Sequence, residues 1–253
     1  MNPGLHGKRG LILGIANEHS IAYGFARLAR QQGARLVGSC VNERAYAAVV
    51  GLTQALDMPL QVCNVESDSQ LESAVLGAVD ALGGLDFVVH SIAWAPTVDL
   101  HSPVMETSAA GFARAMDLSC HSFARLARIC APHMAGGSMV TMSYLGASRA
   151  VPHYGLMGPV KAALEALVRY LARELGPSGL RVHAVSPGPI PTRAASGIDH
   201  FDDLLDDARR RAPLGRLVSL DEIAHLTAFL CSDASAGMTG QTIYVDAGYH
   251  AIA

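Results

Sequence analysis

The chain has 253 residues, half of them apolar and 16% charged, enough for one large α/β core or two small ones. Its net charge of −3 at pH 7 excludes the strongly basic surface that nucleic acid or an anionic membrane requires. No apolar run approaches the roughly 18 residues of a membrane span, and the stretch from Met1 to Gly7 lacks the apolar centre of a signal peptide.

In chain order, Gly10 to Gly14 reads as a short apolar strand ending in a glycine. A polar loop leads through Ser20 into a helix that runs to Gln32, with Gly33 as its stop. Ala34 to Cys40 is a second strand, followed by a helix over about 42–56, and Leu60 to Val65 is a third. Ser69-x-x-Glu72 offers a capping box for a helix to Leu82. Leu85 to Ile92 is a fourth strand, a long helical pattern covers 108–134, and Ser138 to Ser143 is a fifth strand. After Pro159 the apolar positions Val160, Ala163, Leu164, Leu167 and Leu171 recur at helical spacing. Arg181 to Val185 is a sixth strand, Ser219 and Glu222 cap a helix to Cys231, and Thr242 to Asp246 is a seventh. Strands and helices alternate without a linker. The fold class expected is therefore α/β, a Rossmann-type doubly wound parallel sheet of about seven strands with helices on both faces, residues 1–253 forming a single domain. Cys40, Cys63, Cys120, Cys130 and Cys231 show no CxxC spacing and read as reduced, buried residues of a cytoplasmic protein. The histidines have no ligand spacing, so no metal is expected.

In such a sheet, ligands bind beyond the carboxyl ends of the strands, at the point where strand order reverses. Gly14, Ser20, Ile21 and Gly24 follow the first strand, where a glycine lets backbone approach a phosphate and a helix start offers free N–H groups. Without G-x-G-x-x-G spacing, an ordinary strand-to-helix turn stays equally open. Asn64 and Val65 follow the third strand, where an adenine edge can be read, and the small residues of Ser91-Ile92-Ala93-Trp94-Ala95 follow the fourth. Ser143 and Tyr144 follow the fifth, and Gly188 to Thr192 the sixth. Tyr154 stands seven residues before Lys161, one of only two lysines in the chain. An ammonium held beside a phenol favours the phenolate, which would lower the tyrosine pKa, and it can also hydrogen-bond a sugar hydroxyl. Tyr-x6-Lys alone is a weak pattern; its position on the same rim as the other segments gives it weight.

Taken together, Ser20-Ile21-Ala22-Tyr23-Gly24, His90-Ser91-Ile92, Ser143-Tyr144-Leu145-Gly146-Ala147, Tyr154-x6-Lys161, Gly188-Pro189-Ile190, Ala194-Ala195-Ser196-Gly197-Ile198 and Ala228 to Asp233 make the chain recognisable. It resembles, over essentially its whole length, the bacterial NADH-dependent enoyl-acyl-carrier-protein reductases of the divergent short-chain dehydrogenase/reductase group. Ordinary members of that superfamily use Tyr-x3-Lys, and the position four before Lys161 is Met157. The resemblance implies reduction of the 2,3 double bond of an enoyl thioester in fatty-acid synthesis, with NADH as cofactor and NADPH the alternative. It implies Tyr144, Tyr154 and Lys161 as the catalytic set, Tyr154 hydrogen-bonding the thioester oxygen and Lys161 the nicotinamide ribose. The dinucleotide would lie along Gly14, Ser20, Ile21, Val41, Asn64, Val65, Ser91, Ile92, Ala93 and the run Ile190, Pro191, Thr192, Arg193, Ala194. Trp94, Ala95, Tyr144, Tyr154 and Met157 would meet the substrate, beneath a covering segment over about 191–213. A homotetramer is also implied.

Several positions depart from the family pattern. Val41 stands where glutamine is frequent and cannot hydrogen-bond the adenosine ribose, and Asn64 replaces an aspartate beside the adenine. Arg44 lies within reach in sequence of a 2′-phosphate. Ala93 replaces a glycine and Trp94 a smaller aromatic, both adding bulk at the pocket wall. Where family members carry basic residues for an acidic carrier protein, 199–207 reads Asp-His-Phe-Asp-Asp-Leu-Leu-Asp-Asp. Like charge repels like, so the partner expected is a thioester-linked or free small molecule, with the carrier protein in question. Two alternatives remain: a pathway-specific reductase acting on a coenzyme A ester, free enone or other carbonyl compound, and a non-catalytic dinucleotide-binding regulatory protein.

Overall fold

Near-continuous apolar runs lie side by side and point the same way, as strands covered on both faces must. The structure, a computed structural model, describes residues 4–192 and 197–252. β1 (Arg9–Leu13) leads through α1 (Ile21–Gln31) to β2 (Arg35–Cys40), then α2 (Glu43–Gln54) to β3 (Leu60–Val62). From there α3 (Asp68–Leu82) carries the chain back to β4 (Leu85–His90) on the far side of β1. α4 (Thr97–His101), α5 (Ala109–Met116) and α6 (Ser122–Cys130) precede β5 (Met134–Met142), and α7 (Met157–Leu175) precedes β6 (Leu180–Pro187). α8 (Phe201–Arg211), α9 (Leu220–Cys231), β7 (Gln241–Val245) and α10 (Tyr249–Ile252) complete the chain. The strand order is β3-β2-β1-β4-β5-β6-β7 and every neighbouring pair is parallel.

One face is covered where α1 packs on α9, the other where α3, α6 and α7 pack in sequence. Phe25 of α1 meets Phe87 of β4 edge to face, with ring centroids 5.7 Å apart, a contact that ties helix to sheet beneath the reversal of strand order. All five cysteines are free and buried. No helix among the described residues is long and apolar enough to cross a membrane.

Several expected boundaries move, each for a local reason. The α3 cap is Ser67, whose hydroxyl accepts from Gln70 N–H, so the helix begins before the anticipated Ser69–Glu72 box. β3 stops at Val62 because Asn64 Oδ1 turns to accept from Glu66 N–H at 3.1 Å. The long helix over 108–134 is interrupted by a π turn at Asp117–His121 and gives way at Pro132 to a short 3-10 turn, after which β5 already begins at Met134. A buried chain of hydrogen bonds accompanies the π turn. Ser122 donates to Leu118 O at 2.7 Å and pairs with His90 Nε2 at 2.8 Å, while Thr141 meets His90 Nδ1 at 3.0 Å. With Ser122 donating to the carbonyl, the imidazole carries its proton on Nε2, and burial holds its pKa down to about 3, so it is neutral. The Ser219–Glu222 capping box of α9 forms as the sequence indicates.

Candidate active site

At the reversal between β1 and β4, Ser91 N–H donates to Leu13 O at 3.1 Å, which draws the two loops together. Gly14 sits there at φ +98°, and a Cβ on it would lie 2.2 Å from the Ser91 carbonyl oxygen, so no other residue fits. Ser20 then caps α1, accepting from Tyr23 N–H and donating to Asn17 O at 2.7 Å, and Ile21 opens the helix beside it. The α1 N-terminus thus faces the crevice with its N–H groups, as a pyrophosphate requires. Val41 is exposed just past β2, Asn64 half-buried and Val65 buried past β3, and Ser91 and Ile92 half-buried past β4. These residues line one rim and fit an extended dinucleotide. One lone pair of Asn64 Oδ1, the acceptor available to an adenine, is already used by Glu66 N–H.

Tyr144 and Tyr154 come together at the end of β5, their ring centroids 4.7 Å apart and inclined at 57°. Gly146 permits this, because a Cβ there would lie 2.3 Å from Tyr154 Cδ1. The Tyr144 hydroxyl is buried and has no hydrogen-bond partner among the described residues, an orphan donor of the kind that a ligand satisfies. Burial, and after it the neighbouring Tyr144, pushes the Tyr154 phenol above its ordinary value. The expected lowering by Lys161 is therefore corrected: burial and Tyr144 set the phenol's shift and the ammonium does not contribute to it, so Tyr154 is a neutral donor. Lys161 is itself buried in the second turn of α7 and donates to Met142 O at 2.6 Å. Desolvation pulls its pKa from 10.5 to about 8. Met157 is buried at the first position of α7, one turn before Lys161.

Around this pair the walls differ from simple expectation. Ala93 is exposed and Ala95 half-buried. Trp94 is fixed through its backbone, both its N–H and its C=O bonding Ser119 Oγ at 2.8 Å. The Arg114 guanidinium covers its ring at 4.3 Å and is held in turn by Glu66 at 2.7 and 3.1 Å. Arg114 therefore links Trp94, past β4, to Glu66, past β3. Ile190 is buried, Pro191 exposed and Thr192 half-buried beyond β6; Arg193 and Ala194 lie outside the described residues. Tyr154 and Gly146 also line a cavity of about 700 Å³ bounded by Leu100 and His101 of α4, Arg149 and Pro159. Sequence reasoning passed over Ser119, Arg114 and Glu165. The last stands four residues after Lys161, a helical spacing that places it on the same face. Among the described residues, no group of three or more His, Cys, Asp or Glu can hold a metal.

Residues 14–250 match the family model described as Enoyl-(Acyl carrier protein) reductase. The chain belongs to the enoyl-acyl-carrier-protein reductase family. Among its relatives, the Enoyl-[acyl-carrier-protein] reductase [NADH] FabI of Nostoc sp. strain PCC 7120 is 44% identical over 250 residues, 97% of each chain. The Enoyl-[acyl-carrier-protein] reductase [NADPH] FabI of Staphylococcus aureus strain MRSA252 is 42% identical over 252 residues, 98% of each chain. The crystal structure of the Aquifex aeolicus VF5 Enoyl-[acyl-carrier-protein] reductase (NADH) superposes with a TM-score of 0.94 at 39% identity, covering 97% of each chain. In this reductase family member Tyr154 lines the cavity beside α4, whereas Tyr144, Lys161 and the Gly14 crevice are not part of its lining.

Proposed function

We propose that the protein catalyses the NAD(P)H-dependent reduction of the 2,3 double bond of an enoyl thioester in fatty-acid synthesis. The observation that carries this reading is the pairing of Tyr144 and Tyr154 at 4.7 Å, with Tyr154 lining a cavity of about 700 Å³ and Lys161 buried nearby on α7. Gly14, Ser20, Ile21, Val41, Asn64, Val65, Ser91, Ile92 and Ala93 would hold the dinucleotide, joined by the 190–194 run. When bound, a reduced nicotinamide supplies the hydride. Tyr154, neutral because it is buried, donates a hydrogen bond to the thioester oxygen as negative charge develops there. Tyr144 has its hydroxyl free for the same site and packs against the Tyr154 ring, fixing its direction. Lys161 offers its remaining N–H donors to a ribose hydroxyl. Trp94, Ala95 and Met157 bound the acyl group, with α8 above. NADH is the cofactor we assign, as in the names of the Nostoc and Aquifex aeolicus relatives; Val41 and Asn64, which give up contacts to the adenosine, and Arg44, exposed just beyond, make NADPH the alternative.

Substitution Tyr154→Phe tests the reading. Loss of one donor to a developing oxyanion is expected to lower kcat by about 10²–10³, followed as NADH oxidation on crotonyl-coenzyme A, its carrier-linked counterpart and a panel of free enones. Unchanged turnover in the variant would remove Tyr154 from the mechanism. Absence of turnover on every substrate by the native chain, with NADH still bound, would favour a regulatory binding protein instead.

A further inference from the structure

Glu165 takes no part in the proposed chemistry, yet it is built into its support. Ser143 Oγ donates to Glu165 Oε1 at 2.5 Å, and the Thr242 hydroxyl of β7 lies close enough to the same carboxylate to favour its charged form. One helical turn earlier, Lys161 Nζ donates to Met142 O at 2.6 Å. Two successive residues at the end of β5 are thus clasped by two residues one turn apart on α7, and the next residue in the chain is Tyr144. We propose that Glu165 is a positioning residue that keeps Lys161 in its ammonium form and holds it at the β5 end through the Ser143 clasp. The proposal rests on the reading of Lys161 as a working group of the site.

The charges around the lysine single out this carboxylate. Cys120 faces Lys161 from the π turn, but burial raises its thiol pKa, so it is neutral at pH 7. His90 of β4 is neutral as well, its pKa lowered to about 3. On α7 itself Glu165 remains, with Arg169 beyond it. Burial raises the Glu165 pKa, while the Ser143 and Thr242 hydroxyls, Arg169 and Lys161 all favour its charged form. Side chains at i and i+4 stand about 5–6 Å apart at Cβ. A nearby opposite charge favours the charged form of its partner.

Because the chain has only two lysines, Lys8 and Lys161, incorporation of [ε-13C]lysine gives two resonances that titrate without any need for turnover. Lys8, paired with the exposed Asp233 at 2.7 Å, is the internal reference. In the native protein the Lys161 signal is expected to titrate near 8. In Glu165→Gln it should move about one unit lower, the alkaline limb of kcat/KM moving with it, and Glu165→Asp should restore most of the difference. A Lys161 titration that stays in place in folded Glu165→Gln overturns the proposal, including the case in which kcat drops uniformly across pH. Should that variant not fold, Ser143→Ala releases the carboxylate from its clasp and is expected to give a smaller step in the same direction; no step there is equally fatal. If the lysine signal shifts while no enoyl thioester is reduced, the role of Glu165 stands and the proposed reaction falls.

Discussion

A buried phenol that stays neutral can donate a hydrogen bond across the whole neutral range, whereas a buried amine titrating at about 8 is charged over only part of it. Activity that depends on the Lys161 cation is therefore expected to fall as pH rises through about 8, read as the alkaline limb of kcat/KM. The fold responds in the opposite sense. Unfolding restores the lysine to about 10.5, so the penalty for burying its charge is fully present below 8 and lifts between 8 and 10.5. Opposed trends in kcat/KM and in thermal midpoint over that window identify Lys161 as the titrating group; parallel trends would assign the limb elsewhere. Gly146 offers a second residue-level test. A methyl placed 2.3 Å from the Tyr154 ring must displace it, so Gly146→Ala is expected to destabilise by about 1–3 kcal/mol and to lower kcat more than it raises KM for NADH. Full activity in that variant would mean that the ring has room to spare.

At the scale of elements, the start of α9 sets a pH dependence of its own. Glu222 bonds Ser219 N–H at 2.9 Å and the Arg216 guanidinium at 2.7 and 2.9 Å, and these partners hold its pKa down to about 2. A carboxylate depressed in the folded state stabilises above its unfolded pKa, near 4.5, and loses that contribution as pH falls toward 2. The group is partly exposed, so solvent screening limits the effect to about 1 kcal/mol at pH 7. Glu222→Gln should remove that much from chemical denaturation at pH 7 and nothing at pH 2; equal losses at both would show that shape rather than charge is at stake. Elements with strong local signals were legible in the sequence: the Ser219 box, the Asn42 start of α2, the apolar strands. The π turn was not, because it depends on His90, which lies about thirty residues away and bonds Ser122 only once β4 is in the sheet. The β3 end was misread for a similar reason, since alternation continues through Asn64 while its side chain has turned to cap the loop.

For the whole molecule, the alternation of strands and helices sufficed to give the sheet, whose rim gathers the residues just beyond each strand, where the candidate site residues were sought. Sequence could not provide the contacts between segments far apart in the chain: Arg114 over Trp94, and the Ser143–Glu165 clasp. Charge on α8 also reads differently in three dimensions. The acids of α8 occupy its first turns and Arg209, Arg210 and Arg211 its last, as the helix dipole favours. Asp206 and Asp207 are paired with those arginines, and Tyr249 OH donates to Asp207. Negative charge left to solvent is thus concentrated at Asp199, Asp202 and Asp203. We expect coenzyme A esters to match or exceed acidic carrier-linked substrates in kcat/KM, and added salt to improve the latter by screening repulsion. Carrier-linked substrates that are superior and weakened by salt would reverse this assignment. The exposed Tyr170 of α7 and Phe112 of α5 suit the homotetramer we propose, with mass in solution as its measure.

The buried thiols carry a practical consequence. Cys40 closes β2, Cys63 follows β3, Cys120 lies in the π turn, Cys130 ends α6 and Cys231 ends α9. Each is shielded from water, and burial raises all five pKa values, that of Cys63 to about 11. A maleimide or similar alkylating reagent will therefore couple to each only when its own stretch of chain opens, so mass spectrometry of timed reactions can rank how readily successive regions come undone.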